Sequence, residues 1–255
     1  MRIAVVGGTG AAGSRIVASA RARGVDTVVV ARSLGVDVVT GAGLSAALSG
    51  VDVVVDALNA PGTDEATARA FFLGAARTIS SAASEVGVGR LVCLSIVGID
   101  RAQGYGYYAA KLAQEDAYRQ APLPTTVVRS TQWHEFVDQL LATVRRGPVA
   151  TVPRMRVQPA AVADVAEVVV DVATSADEGG LVEVAGPEVS EMVDLARRRL
   201  RDRRVRATVV PVPFPGAARA VRDGALLPGE GARIVGPTFD VWSAAHPQDE
   251  RGARP

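Results

Sequence analysis

Short apolar runs alternate with stretches of helical periodicity through the first half of the chain. The runs predict strands at Ile3–Val6, Thr27–Ala31, Val38–Thr40, Asp52–Ala57, Arg90–Ser95 and Thr125–Arg129. The intervening stretches predict helices at Ala11–Ala22, Leu44–Leu48, about Thr63–Glu85 and about Tyr107–Arg119. Such alternation is typical of a parallel sheet covered on both faces. We expect the first strand to be central, with strand order reversing between the first and fourth strands and ligands bound in that crevice.

The second half is less regular. It predicts a helix after Trp133, an extended Pro148–Val152, a helix at Ala161–Ala173, a strand at Leu181–Ala185, a helix at Glu191–Arg201, and a small cap with strand Val205–Val212 and helix Gly216–Asp223. The last stretch, rich in Pro, Gly and charge, predicts a loosely held tail. We divide the chain into a core at 1–155 and a sheet-completing, substrate-binding part at 156–255, within one compact unit.

Composition narrows the class of protein. The 255 residues are 48% hydrophobic with a net charge of +1, so neither disorder nor a general attraction to nucleic acid or membranes is expected. The first residues already predict a buried strand, so we expect no signal peptide, and no apolar run is long enough to span a bilayer. A single cysteine, Cys93, fits a reducing, cytoplasmic location and is expected to be buried and inert, and with two histidines no metal site is predicted.

A glycine-rich loop follows the first strand directly and opens the first helix. It comprises Gly7, Gly8, Thr9, Gly10, Ala11, Ala12 and Gly13. Glycines there permit a tight turn and close approach of the backbone to a pyrophosphate, which the helix N-terminus attracts. Strand, turn and helix in this order predict a Rossmann-type fold that binds a nicotinamide dinucleotide.

The end of the second strand bears on the form of the cofactor. Sites for NAD usually carry an acidic residue there, but this strand is followed by Arg32 and Ser33. A guanidinium suits a 2′-phosphate, with Ser33 as a second donor. We therefore favour NADP(H) over NAD(H), although Arg32 could also be an ordinary strand-end residue.

Ser95, Tyr107 and Lys111 form a candidate catalytic group. Ser95 ends the fifth predicted strand, and a spacing of four places Tyr107 and Lys111 on one helix face. A nearby ammonium and the positive nicotinamide would lower the tyrosine pKa enough for proton transfer, while Ser95 could hold the substrate oxygen. Lys111 is the only lysine in the chain, which favours a function over a generic surface position.

These motifs resemble the short-chain dehydrogenase/reductase superfamily, and more closely its atypical NmrA-like branch of NAD(P)-binding proteins. The resemblance reaches about residue 225, and rests on the Gly7–Gly13 loop, Leu94–Asp100, the Tyr107–Lys111 pair, Arg129–Phe136, Gln158-Pro159 and Asp164-Val165-Ala166. It implies that Tyr107 is an acid/base, that Lys111 contacts the nicotinamide ribose and that Ser95 contacts the substrate carbonyl. The catalytic asparagine of many family members has no counterpart here, because Asn59 follows the fourth predicted strand and is expected to lie nearer the cofactor.

The remaining candidates concern the substrate and partners. Val97, Trp133, His134 and Phe136 are expected to line an apolar substrate pocket, with His134 more suited to a hydrogen-bonded wall than to catalysis. The arginine run at 197–206 predicts a solvated helix face rather than a nucleic-acid site. The favoured function is an NADPH-dependent reductase of a carbonyl, enone or quinone. A non-catalytic dinucleotide sensor and a non-redox isomerase or cyclase stay open, as does the choice between monomer and homo-oligomer.

Overall fold

A computed structural model describes residues 1–176 and 180–247. Its first half contains strands β1 (Arg2–Val6), β2 (Asp26–Val30), β3 (Val53–Asp56), β4 (Arg90–Ile96) and β5 (Thr125–Ser130). Helices α1 (Ala11–Ala22), α2 (Leu44–Leu48), α3 (Glu65–Glu85) and α4 (Gly106–Arg119) lie between them, with 3-10 turns at Arg32–Leu34 and Ile99–Arg101. The predicted alternation of strands and helices is therefore confirmed, apart from the strand predicted at Val38–Thr40.

The second half adds short strands and five helices to this framework in the described residues. The strands are β6 (Arg145–Arg146), β7 (Val149–Pro153), β8 (Arg156–Val157), β9 (Gly180–Ala185), β10 (Ser190–Glu191), β11 (Thr208–Val212) and β12 (Arg233–Ile234). The helices are α5 (His134–Val144), α6 (Val162–Thr174), α7 (Met192–Asp202), α8 (Ala218–Arg222) and α9 (Phe239–Ala245). None of the helices in the described ranges is long and apolar enough to cross a membrane.

Seven strands form a parallel sheet in the order β12-β9-β5-β4-β3-β1-β2. Val6 of β1 pairs with Val30 of β2 on one side and with Asp56 of β3 on the other. The chain therefore leaves three neighbouring strands at the same carboxyl edge, and the order reverses at β1 as predicted. This is a doubly wound Rossmann-type α/β fold, in which ligands bind at that reversal.

Successive side chains of each strand point to opposite faces of the sheet, and each face has its own hydrophobic core. On one face, Val53, Val55 and neighbouring residues pack with α1 and α6. On the other, Val54, Leu91 and Cys93 pack with α2, α3 and α4. Cys93 is fully buried, as expected, and burial raises the pKa of its thiol far above the ordinary value, so it stays an unreactive thiol.

The strand predicted at Val38–Thr40 is wrong, because this segment consists of turns. The Asp37 carboxylate accepts a hydrogen bond from the Val39 N–H at 2.8 Å, and Gly41 has a φ of +81°. A side chain that bonds backbone two residues ahead competes with strand pairing. The sheet consequently ends at β2, and β1 lies second from this edge rather than at the centre.

The loosely held tail predicted for the C-terminus is also wrong over its described part. Phe239 and Trp242 of α9 are buried against α5 and α7, and Leu226 is fully buried. The cause is a set of apolar residues at helical spacing, which the Pro- and Gly-rich composition around them conceals. Residues 248–255 of the predicted tail lie outside the described residues.

Candidate cofactor and active site

The glycine-rich loop follows β1 and leads into α1 as the sequence predicts. Gly7 has a φ of +76°, its N–H donates to Val30 O at 2.9 Å, and the Gly10 N–H donates to Gly7 O at 2.9 Å. Gly10, the N-cap of α1, has no side chain with which to cap the helix, and no acidic residue lies in the first turn. The first N–H groups of α1 are therefore left to a ligand, which favours an anion there.

Close packing explains why two of these positions are glycine. A Cβ added at Gly13 would lie 2.2 Å from Gly7 O, and one at Gly8 would lie 2.9 Å from Val5 O. Both contacts are with backbone, which cannot rotate away. The turn therefore lies directly on the first turn of α1, the arrangement that exposes N–H groups to a pyrophosphate.

Arg32, Ser33 and Asn59 lie at the same edge of the sheet. Arg32 and Ser33 begin the 3-10 turn after β2, and both are exposed. Asn59 is three residues beyond β3 and is exposed as well. These positions are compatible with the cofactor contacts predicted for all three residues.

The buried carboxylate of Asp56 fixes helix α4 to the sheet. Asp56, at the end of β3, accepts hydrogen bonds from Gln114 Nε2 and from the Tyr118 hydroxyl, both at 2.7 Å. Its other oxygen accepts from the Leu58 N–H at 2.8 Å. The sequence reasoning did not identify these partners, although Asp56 stands out as a carboxylate ending an apolar strand. They determine where α4 presents its first turn.

Ser95 belongs to a second buried group on the same face. Its hydroxyl donates to Glu115 Oε1 at 2.5 Å, and Glu115 also forms two hydrogen bonds with Arg129, at 2.9 and 2.8 Å. Ser95 faces α4 because odd-numbered residues of β4 point to that side of the sheet. The Ser95 hydroxyl is thus hydrogen-bonded within the protein, and the substrate contact predicted for Ser95 would require it to leave Glu115.

Tyr107 and Lys111 are brought together by Phe72 of α3. The rings of Phe72 and Tyr107 meet edge to face with centroids 5.8 Å apart, and the Lys111 ammonium lies 4.7 Å from the Phe72 centroid. Lys111 is 3% exposed, and within the described residues its ammonium has no hydrogen bond or ion pair. The Lys111 nitrogen is not among the enclosed polar atoms that lack a partner, so it still reaches solvent, and an ammonium placed in this way can bind a ligand oxygen.

The Tyr107 phenol is half-buried and donates to Asn59 Oδ1 at 2.5 Å. Burial raises the pKa of Tyr107 to about 12, and the nearby Tyr105 adds to the shift. In the chain by itself the shift is thus opposite to the lowering that the sequence analysis expected from Lys111. The phenol is protonated at neutral pH, which is the state required of a proton donor.

The four predicted pocket residues differ in their surroundings. Val97 is fully buried, and His134 is 1% exposed with its Nε2 3.2 Å from Pro237 O. The indole N–H of Trp133 donates to Ser130 Oγ at 2.9 Å, and Phe136 is half-buried. Trp133 and Phe136 are thus the two with surface left for a ligand, while His134 packs against Phe239 and Trp242 of α9.

Aromatic residues not singled out from the sequence surround the Tyr107 ring. Tyr105 packs edge to face against Tyr108 and Phe214, at centroid distances of 4.9 and 5.1 Å. Gly104 and Gly216 face each other here, since a Cβ on either would lie within 2.5 Å of the other's carbonyl oxygen. The segment after β11 therefore lies directly against the loop that precedes α4.

The arginine run is not wholly the solvated face that was predicted. Arg199 is 2% exposed, its guanidinium binds the Asp138 carboxylate through two hydrogen bonds of 2.9 Å, and it donates to Ser243 Oγ and to His246 O. Arg199 thus connects α5, α7 and α9. Periodicity places position 199 on the buried face of α7, which charge composition alone does not reveal.

A groove of about 790 Å³ lies between α3 and α4, and none of the predicted site residues lines it. Its polar lining includes Arg69, Arg77 and Asp116. We therefore locate the candidate site at the carboxyl edge of the sheet. No three His, Cys, Asp or Glu side chains in the described part of the chain are grouped to hold a metal ion.

A family profile described as NAD(P)H-binding matches residues 7–176. No curated protein matches the sequence significantly. Among solved structures, a dTDP-4-dehydrorhamnose reductase from Clostridium acetobutylicum is similar with a TM-score of 0.71 and 16% identity, over 87% of this chain and 88% of that one.

Two further solved structures share the fold over nearly their whole length. A UDP-N-acetylglucosamine 4-epimerase from Bacillus cereus has a TM-score of 0.72 and 16% identity, covering 100% of this chain and 98% of that one. An NADPH-dependent quinone oxidoreductase from Escherichia coli, in complex with NADPH, has a TM-score of 0.70 and 18% identity, covering 95% and 99%. At such identities the likeness establishes the Rossmann-type fold.

Proposed function

This chain belongs to the NAD(P)H-binding family, and we propose that it is an NADPH-dependent oxidoreductase acting on the carbonyl, enone or quinone of an apolar small molecule. The observation that carries the proposal is that a protonated, half-buried phenol and an ammonium without an acceptor among the described residues both contact Phe72. A protein that only bound a dinucleotide would have no need of the phenol.

The residues present fit the dinucleotide. The uncapped N–H groups of α1 would hold its pyrophosphate, and Arg32 and Ser33 would hold a 2′-phosphate. The Lys111 ammonium, which has no acceptor among the described residues, would gain one from the nicotinamide ribose. When bound, the reduced cofactor supplies the hydride.

Tyr107 would then give its proton to the substrate oxygen as the hydride reaches the carbonyl carbon. The carbonyl oxygen would take this proton as it gains the π electrons of the carbonyl, so that the product is the alcohol. Trp133, Phe136 and Tyr105 would present apolar surface to the substrate. This gives an apolar ring or chain beside the carbonyl as the preferred substrate class.

Replacing Tyr107 by phenylalanine tests the proposal. NADPH oxidation with menadione and acetophenone should identify a substrate, and on it Tyr107→Phe should lower kcat about a hundredfold to ten-thousandfold. Affinity for NADPH, measured by fluorescence titration, should not change. Tyr108→Phe is the matched control, because it removes a hydroxyl from the adjacent, buried ring and should keep activity.

Full activity in Tyr107→Phe would show that the proton donor is another group. If no quinone or ketone is reduced, and a crystal structure with NADPH places Tyr107 away from the nicotinamide, the protein senses the dinucleotide without chemistry.

A further inference from the structure

The contact between Asn59 and Tyr107 joins two separately positioned parts of the fold. Asn59 lies in the loop between β3 and α3, whereas Tyr107 lies in the first turn of α4. Its side-chain oxygen accepts the phenolic hydrogen at 2.5 Å. Asn59 is also the only asparagine of the chain.

Both sides of this contact are held in place by buried groups. On the loop, Asp56 accepts from the Leu58 N–H, and the buried Ala60 packs in one cluster with Phe72. On the helix, Phe72 also contacts the Tyr107 ring. The amide of Asn59 is exposed, but the backbone on either side of it is fixed, so the amide is directed at the phenol by the fold.

We propose that Asn59 is a positioning residue that orients the phenolic proton of Tyr107, rather than a direct cofactor contact. The inference rests on the proposed function and assigns an additional residue to it. An amide suits this task because it has an acceptor oxygen and a donor nitrogen at the same place. With Tyr107 protonated, Oδ1 accepts the O–H hydrogen. After that proton has gone to the substrate oxygen, rotation of the amide lets Nδ2 donate to the phenolate.

The first test measures the contact without any substrate. In protein labelled at the tyrosine Cζ carbon, four resonances are expected, and Tyr107→Phe identifies the one from Tyr107. Asn59→Ala should move that resonance toward the position of a water-exposed phenol and leave the other three in place. Thr63→Ala, an exposed change in the same loop, should move none of them. An unchanged Tyr107 resonance in Asn59→Ala would overturn the proposal.

The second test uses the pH profile of the reverse reaction, alcohol oxidation with NADP+, in which Tyr107 must act as a phenolate. Asn59→Asp keeps an acceptor, removes the donor and adds a negative charge, so the midpoint of kcat against pH should rise by about one unit or more. Asn59→Ala should lower kcat about tenfold with little change in KM for the alcohol. A residue with only a structural role would not move the midpoint.

The two tests separate failure of this inference from failure of the proposed function. If Asn59→Asp has the midpoint of the parent chain, Asn59 does not position the proton, whatever its effect on folding. If the Tyr107 resonance responds to Asn59 but Tyr107→Phe keeps full activity, the contact is real and the proposed proton donor is wrong.

Discussion

One exposed guanidinium is expected to decide between the two forms of the dinucleotide. Arg32 follows β2, whose end carries no carboxylate to bond a ribose hydroxyl, and its side chain is exposed. A hydrogen bond to a charged group contributes roughly 1.5–3 kcal/mol, which corresponds to about tenfold or more in affinity.

Arg32→Ala should therefore weaken NADPH binding about tenfold or more while NADH binding stays the same, as measured by fluorescence titration of both cofactors. Arg21→Ala, at the exposed end of α1, is the control for loss of a positive charge. Equal affinity of the parent chain for NADPH and NADH would contradict the assignment of Arg32 to a 2′-phosphate.

Among the elements, helix α1 depends most closely on a single small residue. At Gly13 an added Cβ would lie 2.2 Å from Gly7 O, whereas at Gly74 in the middle of α3 it would meet nothing within 4 Å. The same substitution should thus have opposite effects in two helices.

Gly74→Ala should raise the free energy of unfolding by about 0.5–1 kcal/mol, because alanine loses less backbone entropy in a helix. Gly13→Ala should lower it by about 1–3 kcal/mol, since the phosphate loop must shift, and NADPH binding should weaken with it. Urea unfolding and cofactor titration of both variants measure this. Parent-like NADPH affinity in Gly13→Ala would show that the loop does not hold the pyrophosphate.

The pattern of hydrophobic and polar positions was sufficient to predict most helices and strands, including the full extents of α1 and α2. It did not predict which residues the polar side chains would contact. Val38–Thr40 has the composition of a strand, yet Asp37 turns the backbone. Ser95 was predicted to hold the substrate oxygen, and the sequence did not reveal that its hydroxyl is hydrogen-bonded to Glu115. Such choices depend on residues far apart in sequence, and Asn59 meets Tyr107 across 48 positions.

At the scale of the whole molecule, His134 links stability to pH. Burial lowers the pKa of His134 to about 4, so the folded chain keeps the imidazole neutral at pH values where the unfolded chain takes up a proton. The free energy of unfolding is therefore highest above about pH 6.5, where the imidazole is neutral in both states. It falls as the pH decreases toward 4, because only the unfolded chain takes up the proton. At pH 5 the loss should be about 2 kcal/mol.

Urea unfolding at pH 7 and pH 5 should show this difference in the parent chain and a smaller one in His134→Phe, which keeps a ring against α9. His246 is the only other histidine, so His246→Gln is the control and should keep most of the difference. A His134→Phe variant with the full pH dependence would place the titrating group elsewhere.

The mutual approach of Gly104 and Gly216 has a consequence for how this fold can diverge. Each position excludes a side chain because of the other's backbone, so neither glycine can be exchanged while its counterpart stays where it is. Residue 104 precedes the helix of Tyr107, and residue 216 belongs to the C-terminal part. Consider a hybrid that joins residues 1–155 of this chain to the C-terminal part of a relative. It should keep Tyr107 in place only if the relative has a glycine at the position of Gly216. The segments around residues 104 and 216 would therefore have to be exchanged together when a new substrate preference evolves.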